Sequence, residues 1–230
     1  MNLAAIGYGK MGRLIEQLAP EYGFSVTLRL NSGNNANFQG LTRENLTGVD
    51  VAAVFSTAES APGNIQRLAA LGVNVVAGAT GWFEQLDSVR AVVERSGAGL
   101  VWGPNFAIGV HLFRQIVFHA AVLLARESEY GAWAWEIHHA AKKDAPSGTL
   151  LALVEQIERA GYSRPISASS SRAGTHPGTH EIGFDSPADT ITLCHVARSR
   201  EGFARGALRA ARWIAGKKGV FAFHEIVGEL

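Results

Sequence analysis

A glycine-rich turn near the start of the chain places the strongest constraint on its fold. The apolar run 3–6 is followed by Gly7, Gly9 and Gly12 with the spacing G-x-G-x-x-G, and residues 14–19 then have helical spacing. In a strand–turn–helix unit the first glycine permits the tight turn, the second lets the backbone approach a pyrophosphate, and the third lets helix and strand pack closely. The pattern predicts dinucleotide binding at the helix N-terminus. An ordinary tight turn without a ligand is the structural alternative. The residues expected to contact the nucleotide here are Gly7, Tyr8, Gly9, Lys10, Met11 and Gly12.

Strands and helices alternate through residue 105. The predicted strands after the first cover 25–30, 49–56, 73–77 and 99–102, and the predicted helices between them cover 61–71 and 83–96. The third strand is apolar on both faces, as expected for a parallel sheet covered by helices. This order predicts an α/β fold with a doubly wound parallel sheet.

The pattern changes near residue 106, which we take as a domain boundary. The second region is predicted to contain helices at 110–126, 148–159 and 204–215, strands at 133–139 and 190–197, and a loop at 163–181. The chain is long enough for two modest domains. We therefore expect a dinucleotide-binding domain over 1–105 and a second domain over 106–203.

The end of the second strand bears on the choice between NADH and NADPH. Dinucleotide binders that prefer NAD usually place an acidic residue there, to hold the ribose hydroxyls. This chain has Arg29, Asn31 and Ser32 and no carboxylate. The sequence favours NADP or the use of both cofactors, with a solvated Arg29 side chain as the alternative.

Two further turns follow predicted strands at the edge of the sheet that lines the ligand crevice in such folds. Glycines there let the backbone approach a flat ring, and an Asn side chain offers hydrogen bonds to a carboxamide. A plain turn is the alternative in each case. The residues assigned to the cofactor on this basis are Gly78, Ala79, Thr80, Gly103, Pro104, Asn105 and Phe106.

The segment 136–149 concentrates acid–base groups beside a turn suited to anions. His138 and His139 end a predicted strand, so they should face opposite ways and do different jobs. Lys142 can donate a proton, and residues 147–149 offer hydroxyls and backbone N–H groups at a helix start. The alternatives are a solvated basic loop and a zinc site, but the chain offers no evident spacing of Cys or carboxylate partners for zinc.

Composition excludes several classes of protein. The net charge of +1 argues against a dedicated nucleic-acid binder. The most apolar helix, 110–125, is interrupted by His111, Arg114 and His119, so no membrane span is expected. The N-terminus lacks the features of a signal peptide. The single cysteine, Cys194, allows no internal disulfide, and together these features predict a cytoplasmic protein without a metal centre.

The motifs at 7–13, 78–81 and 104–110, together with H-H-x-x-K-x-D-A-P-S-G-T at 138–149, resemble the 4-hydroxy-tetrahydrodipicolinate reductase (dihydrodipicolinate reductase) family. The resemblance implies an NAD(P)H-dependent reduction on the diaminopimelate route to lysine. It implies a Rossmann domain, a C-terminal α/β domain with an open mixed sheet, and a homotetramer. It also implies that a C-terminal helix, about 204–230, packs back on the first domain.

The resemblance also assigns roles within the second domain. His138 resembles the proton donor or acceptor and Lys142 the proton donor. Substrate carboxylates are expected at His139, Ser147, Gly148, Thr149 and Arg200. The chain departs from the family at Ala79, where threonine is usual, at Ala140-Ala141, and in lacking an acidic residue after the second strand. The last departure leaves the cofactor preference open.

Two other functions remain as alternatives. One is a different two-domain NAD(P)-dependent oxidoreductase, which should lack the loop 138–149. The other is a non-catalytic nucleotide sensor, which would not need His138 or Lys142.

Overall fold

The computed structural model describes all 230 residues and divides them into two compact units. The first unit contains residues 1–107 and 201–230, and the second contains residues 108–200. None of the helices has both the length and the apolar character needed to cross a membrane.

The elements are, in chain order, β1 (Asn2–Ile6), α1 (Lys10–Leu18), β2 (Ser25–Leu30), β3 (Val51–Val54), α2 (Ala61–Ala70), β4 (Asn74–Ala77), α3 (Leu86–Ser96), β5 (Gly99–Trp102), α4 (Ile108–Leu124), β6 (Gly131–His138), α5 (Gly148–Arg159), β7 (Ile166–Arg172), β8 (Thr179–Asp185), β9 (Thr190–Val196), α6 (Glu201–Ile214), β10 (Gly219–Ala222) and α7 (Phe223–Ile226).

The first unit is built on a six-stranded parallel sheet with the order β10-β5-β4-β3-β1-β2. All residues of β3 and β4 are buried, and for β3 this was predicted from its apolar sequence. Strand order reverses at β1, which has β2 on one side and β3 on the other. The predicted Rossmann-type sheet is confirmed, and the glycine turn lies at its switch point, where such folds bind ligands.

The C-terminal segment differs from the single helix predicted to reach residue 230. Helix α6 ends at Ile214, and β10 then pairs in parallel with β5 at the edge of the sheet. Gly216 has a φ of +75°, the left-handed backbone conformation that commonly follows the end of a helix, and Gly219, with φ +113°, begins β10. The segment therefore adds a strand as well as a helix to the first unit.

The second unit contains a four-stranded mixed sheet with the order β7-β6-β8-β9. Strand β6 pairs in parallel with β7 and antiparallel with β8, which pairs antiparallel with β9. Helices α4 and α5 pack on one face of this sheet through an apolar core that includes Phe113, Val117, Leu150, Leu153 and Ile182. The predicted open mixed sheet is confirmed.

The prediction of a loop over 163–181 is wrong, because this segment contains β7 and the start of β8. Strand β7 has the sequence Ile-Ser-Ala-Ser-Ser-Ser-Arg and is an edge strand in which no residue is fully buried. Its serines show no apolar alternation, so backbone pairing with β6 determines its conformation.

Candidate active site

The glycine turn after β1 has the geometry that a bound pyrophosphate requires. Gly7 has φ +91°, and a Cβ atom there would overlap the backbone of Phe55; a Cβ on Gly12 would lie 2.8 Å from the Gly7 oxygen. Nothing lies within 4 Å of the Cβ position of Gly9, so its backbone is open to a ligand. Helix α1 begins at Lys10 without a side-chain cap or an acidic residue in its first turn. Its first N–H groups therefore suit an anion.

A cavity of about 700 Å³ opens beside this turn. It is lined by the ends of β1, β2 and β3 and the loops that follow them, including Gly7, Tyr8, Gly9, Asn31 and Ser32. Of the residues in the three glycine turns predicted to bind the cofactor, only Gly7, Tyr8 and Gly9 line this cavity. Its size and its position at the switch point suit the adenosine part of a dinucleotide.

Arg29 does not line this cavity. Its Nε donates a hydrogen bond of 2.8 Å to Glu16 Oε1, its Nη2 contacts the same oxygen, and the Tyr8 hydroxyl donates to the other oxygen. The hydrogen bonds from Arg29 and Tyr8 lower the pKa of Glu16. Arg29 is therefore paired with a carboxylate outside the cavity. The polar residues directly after β2 that line the cavity are Asn31 and Ser32.

The two later turns lie at the same sheet edge because β1, β4 and β5 are parallel. Gly78 follows β4, and a Cβ atom there would overlap the Phe55 ring, which would have to move to admit any other residue. Gly103 follows β5, and a Cβ atom there would lie 3.0 Å from the Cβ of Phe223. The remaining predicted residues in these turns, none of which lines the cavity, are Ala79, Thr80, Pro104, Asn105 and Phe106.

His138 is the last residue of β6 and is buried, whereas the following His139 is half-buried. The Nδ1 atom of His138 lies 3.4 Å from Glu136 Oε2. Its Nε2 lies against the backbone of Gly178, where a Cβ atom would be only 2.9 Å away. Burial lowers the pKa of His138, and the charge of Glu136 partly opposes this shift. The ring is therefore mainly neutral at neutral pH, able to accept or donate one proton.

Lys142 is held by a neighbour for which the sequence suggested no role. Its Nζ donates to both carboxylate oxygens of Asp144, at 2.8 and 2.9 Å. The hydrogen bond from Lys142 is the main cause that lowers the pKa of Asp144, and the Gly148 backbone adds to it. The Asp144 carboxylate thus already binds Lys142 and the Gly148 backbone, two groups predicted to contact the substrate.

Helix α5 begins with an exposed Gly148 and a half-buried Thr149, directly after the loop. Ser147 was predicted to bind substrate, and in the structure its side chain makes its hydrogen bonds within the protein. Its side chain is buried, accepts a 3.2 Å hydrogen bond from Leu150 N as the helix cap, and donates to Glu136. In the first turn of α5, the Leu150 N–H is thus satisfied by this cap, and the Gly148 backbone hydrogen-bonds the Asp144 carboxylate.

Glu136 is an important residue that the sequence did not identify. It is fully buried and accepts hydrogen bonds from Ser147 N (2.8 Å), Ser170 Oγ (2.9 Å) and Arg172 Nη2 (2.9 Å). Burial would raise its pKa, but these hydrogen bonds and that of the Ser147 hydroxyl lower it to about 2. The alternation of β6 was the available signal, since Glu136 shares a face with His138.

His180 on β8 joins the same cluster. Its Nε2 lies 3.3 Å from Glu136 Oε2, and burial with the neighbouring His138 lowers its pKa to about 4. Glu136, His138 and His180 offer donor atoms that all lie within 4.8 Å of one another, which is a spacing that a metal ion could use. However, the Arg172 guanidinium already balances the charge of Glu136, and both carboxylate oxygens accept hydrogen bonds. Sequence reasoning missed His180 because it lies in the segment predicted as a loop.

Arg200 lies apart from these elements in the sequence. It is exposed in the turn after β9, at the end of the second unit. Its predicted contact with substrate rests on the family resemblance.

The fold defines a class of protein with two units, of which the first has the Rossmann-type sheet of dinucleotide-binding proteins. The fold matches a probable dehydrogenase from Thermotoga maritima with a TM-score of 0.58 at 9% identity, covering 100% of this chain and 95% of that one. It matches more fully a dihydrodipicolinate reductase from Paenisporosarcina sp. TG-14, solved with dipicolinate bound. That TM-score is 0.80 at 22% identity, covering 100% of this chain and 99% of that one.

Sequence comparison identifies the family within this class. Residues 1–106 match the family model for the N-terminus of dihydrodipicolinate reductase, and residues 109–227 match that for its C-terminus. The 4-hydroxy-tetrahydrodipicolinate reductase of Christiangramia forsetii is 30% identical, over 100% of this chain and 99% of that protein. The enzyme of the same name from Archaeoglobus fulgidus is 34% identical, over 94% of each. The chain belongs to the dihydrodipicolinate reductase family, whose cofactor is NADH or NADPH.

Proposed function

We propose that this chain reduces 4-hydroxy-tetrahydrodipicolinate to tetrahydrodipicolinate with NADH or NADPH, in the biosynthesis of diaminopimelate and lysine. The observation that carries the proposal is the arrangement after β6, where a buried histidine, a lysine and the first turn of α5 follow one another along one segment of chain. Family membership and this intact loop disfavour both alternatives, a different dehydrogenase and a non-catalytic nucleotide sensor.

The first unit is suited to hold the dinucleotide. The open backbone at Gly9 and the free first turn of α1 fit a pyrophosphate, and the cavity beside them fits the adenosine. The turns that begin at Gly78 and Gly103 would hold the nicotinamide. Asn31 and Ser32, directly after β2, offer neutral hydrogen-bonding groups to the ribose, and the Glu59 carboxylate on the loop after β3 also lines the cavity. This chemistry is compatible with both cofactors.

The second unit is suited to bind a small dicarboxylate. One carboxylate would bind at the N-terminus of α5, on the N–H groups of Gly148 and Thr149. His139 and Arg200 would supply further contacts. Lys142 would leave Asp144 and bind the incoming carboxylate, which replaces one anionic partner with another.

Bound NAD(P)H supplies the hydride, and the protein must supply a proton. His138 presents Nε2 toward the Gly178 side, and its lowered pKa suits a group that both accepts and donates protons. Lys142 is the second donor, four residues further along the loop. General acid catalysis by one of these groups contributes roughly 10²–10⁴-fold to the rate.

The uncovered face of the second unit's sheet supports the proposed homotetramer. Helices cover one face, while Trp133, Trp135 and Ile137 of β6 point to the other face and are only half-buried. Val196 on the edge strand β9 is 55% exposed. Exposed apolar side chains on an open sheet are typical of subunit interfaces. Light scattering should give four subunits for the wild type and fewer for Val196→Asp; a wild-type monomer would contradict the assembly.

We also place the protein in the cytoplasm, the compartment of this biosynthetic route. Its single cysteine, Cys194, is free and forms no disulfide. Fractionation of the source cells tests this placement, and recovery outside the cytoplasm would contradict it.

A coupled assay with freshly made substrate, following NADH and NADPH oxidation separately, tests the reaction. Lys142→Ala should lower kcat by about 10²–10⁴-fold while nucleotide affinity stays unchanged. The matched control is Lys143→Ala, which removes the same charge from the adjacent exposed position and should retain wild-type turnover. If wild type oxidised neither cofactor, the proposed reaction would be wrong; if Lys142→Ala lost only nucleotide binding, the role of Lys142 would be wrong.

A further inference from the structure

The buried carboxylate of Glu136 connects the acid–base group to the anion site. It lies on β6, two residues before His138, with no exposed surface. A charge in such a position is costly unless it is fully paired. Its two oxygens face different parts of the site, and each has its own set of partners.

The Oε1 atom holds the loop and the start of α5. It accepts hydrogen bonds from Ser147 N at 2.8 Å and from Arg172 Nη2 at 2.9 Å. The same Arg172 nitrogen also donates to the backbone oxygen of Asp144. This oxygen thus fixes both ends of the segment 144–147, immediately before the proposed carboxylate-binding turn.

The Oε2 atom faces the histidines. It lies 3.4 Å from His138 Nδ1 and 3.3 Å from His180 Nε2, and it accepts a hydrogen bond from the Ser147 hydroxyl. His138 Nδ1 is buried and has no hydrogen-bond partner of standard geometry. The Glu136 carboxylate is therefore placed to stabilise a proton on Nδ1. With the proton on Nδ1, the lone pair of His138 is on Nε2, on the side of Gly178.

We propose that Glu136 is a positioning residue that keeps His138 in the Nδ1–H tautomer while holding the first turn of α5 in place. The inference rests on the proposed function for its kinetic consequence, although the tautomer can be measured without any reaction. An anion that orients a catalytic imidazole in this way sets which nitrogen exchanges the proton. The charged and titratable groups that act on His138 are Glu136 on β6, Lys142 and Asp144 on the loop, Arg172 on β7 and His180 on β8.

The direct test is ¹⁵N NMR of the histidine side chains in the intact wild-type protein, with His138→Gln used to assign the resonances. Above the pH at which His138 titrates, its Nδ1 should have the shift of a protonated nitrogen and its Nε2 that of an unprotonated one. This measurement needs no variant that might misfold. An Nε2–H tautomer in the wild type would overturn the proposal.

Glu136→Gln is the second test, because glutamine preserves the length of the side chain and removes its charge. If its amide NH₂ replaces Oε2, it donates a hydrogen bond to Nδ1 and favours the Nε2–H tautomer. The expected results are this tautomer change, a fall in kcat of about 10–100-fold, and a shift of the histidine limb of the pH profile to lower pH by about one unit. The control Glu155→Gln makes the same change at an exposed position of α5 and should behave as wild type.

Glu136→Asp completes the series, because it keeps the charge while shortening the side chain. It should retain the Nδ1–H tautomer and recover part of the turnover that Glu136→Gln loses. A Glu136→Gln protein with the wild-type tautomer and pH profile would show that Glu136 only stabilises the fold. If the wild type had the Nδ1–H tautomer but no reductase activity, the positioning role would stand and the proposed function would fail.

Discussion

Substituting Gly178 by alanine tests whether His138 Nε2 is the atom that exchanges the proton. Gly178 is buried beside β8 with φ +142°, a conformation that other residues rarely adopt. Its Cβ would lie 2.9 Å from His138 Nε2 and 3.1 Å from Cδ2, whereas ordinary contacts begin at 3.4 Å. The ring must therefore move by roughly half an ångström, in a core that resists such shifts.

Two effects of different size are expected for Gly178→Ala. Backbone strain should lower the free energy of unfolding by about 1–3 kcal/mol, which corresponds to a fall in Tm of about 2–4 °C per kcal/mol for a chain of this size. The displaced ring should lower kcat by about 10–100-fold, less than the roughly 10²–10⁴-fold expected from losing the acid–base group altogether. Nucleotide affinity should not change, because the first unit is untouched.

Gly174→Ala separates the two effects. Gly174 also has a positive φ of +50°, but nothing lies within 4 Å of its Cβ position. This variant should therefore lose stability and keep its turnover. Thermal unfolding by circular dichroism and steady-state kinetics on both proteins supply the comparison. Equal kcat values for the two variants would refute the assignment of proton exchange to Nε2.

Three further predictions concern other parts of the structure. Asp144→Asn removes the anion that competes for Lys142, so the KM for substrate should fall by about two- to fivefold, the range set by a partly exposed ion pair; a raised KM in steady-state kinetics would contradict this. Acidification should reduce stability in two ranges, measured by urea unfolding at different pH values. His180 has a folded pKa of about 4, so the unfolded chain binds more protons and stability falls as pH decreases from about 6.5 to 4; Glu136, at about 2, adds a second loss below about pH 4.5. An unfolding midpoint that stays constant from pH 7 to 3 would be inconsistent with both shifts. Gly206→Ala would force a Cβ into a backbone carbonyl oxygen within the first unit, so a loss of at least about 1–3 kcal/mol and weaker nucleotide binding are expected; wild-type thermal unfolding would argue against that packing.

Local constraints made some parts of this protein predictable from sequence. The glycine turn at residue 7 follows from conformations and close contacts that only glycine permits. Helix α5 was predicted with the bounds that the structure shows, because Ser147 is a strong cap and the apolar spacing after it is regular. Both signals lie within a few residues of the feature that they specify.

The rest depends on contacts between distant segments. Strand β7 has no apolar pattern and is a strand because β6 pairs with it. The cluster around Glu136 forms only when β6, β7, β8 and the cap of α5 meet, so neither His180 nor Arg172 carries a local signal. Likewise, Arg29 on β2 pairs with Glu16 on α1, so the charge predicted to contact the cofactor already has a partner from a distant part of the chain.

The order in which the segments leave the ribosome gives strand β10 a consequence for folding. The second unit is one uninterrupted stretch of chain and can complete its sheet as soon as it has been synthesised. The first unit begins earlier but remains unfinished, because one edge of β5 has no partner until β10 has been synthesised. During that interval the nascent protein exposes an open strand edge, which is a site for aggregation. Truncation before β10 should therefore affect solubility before it affects the substrate-binding unit.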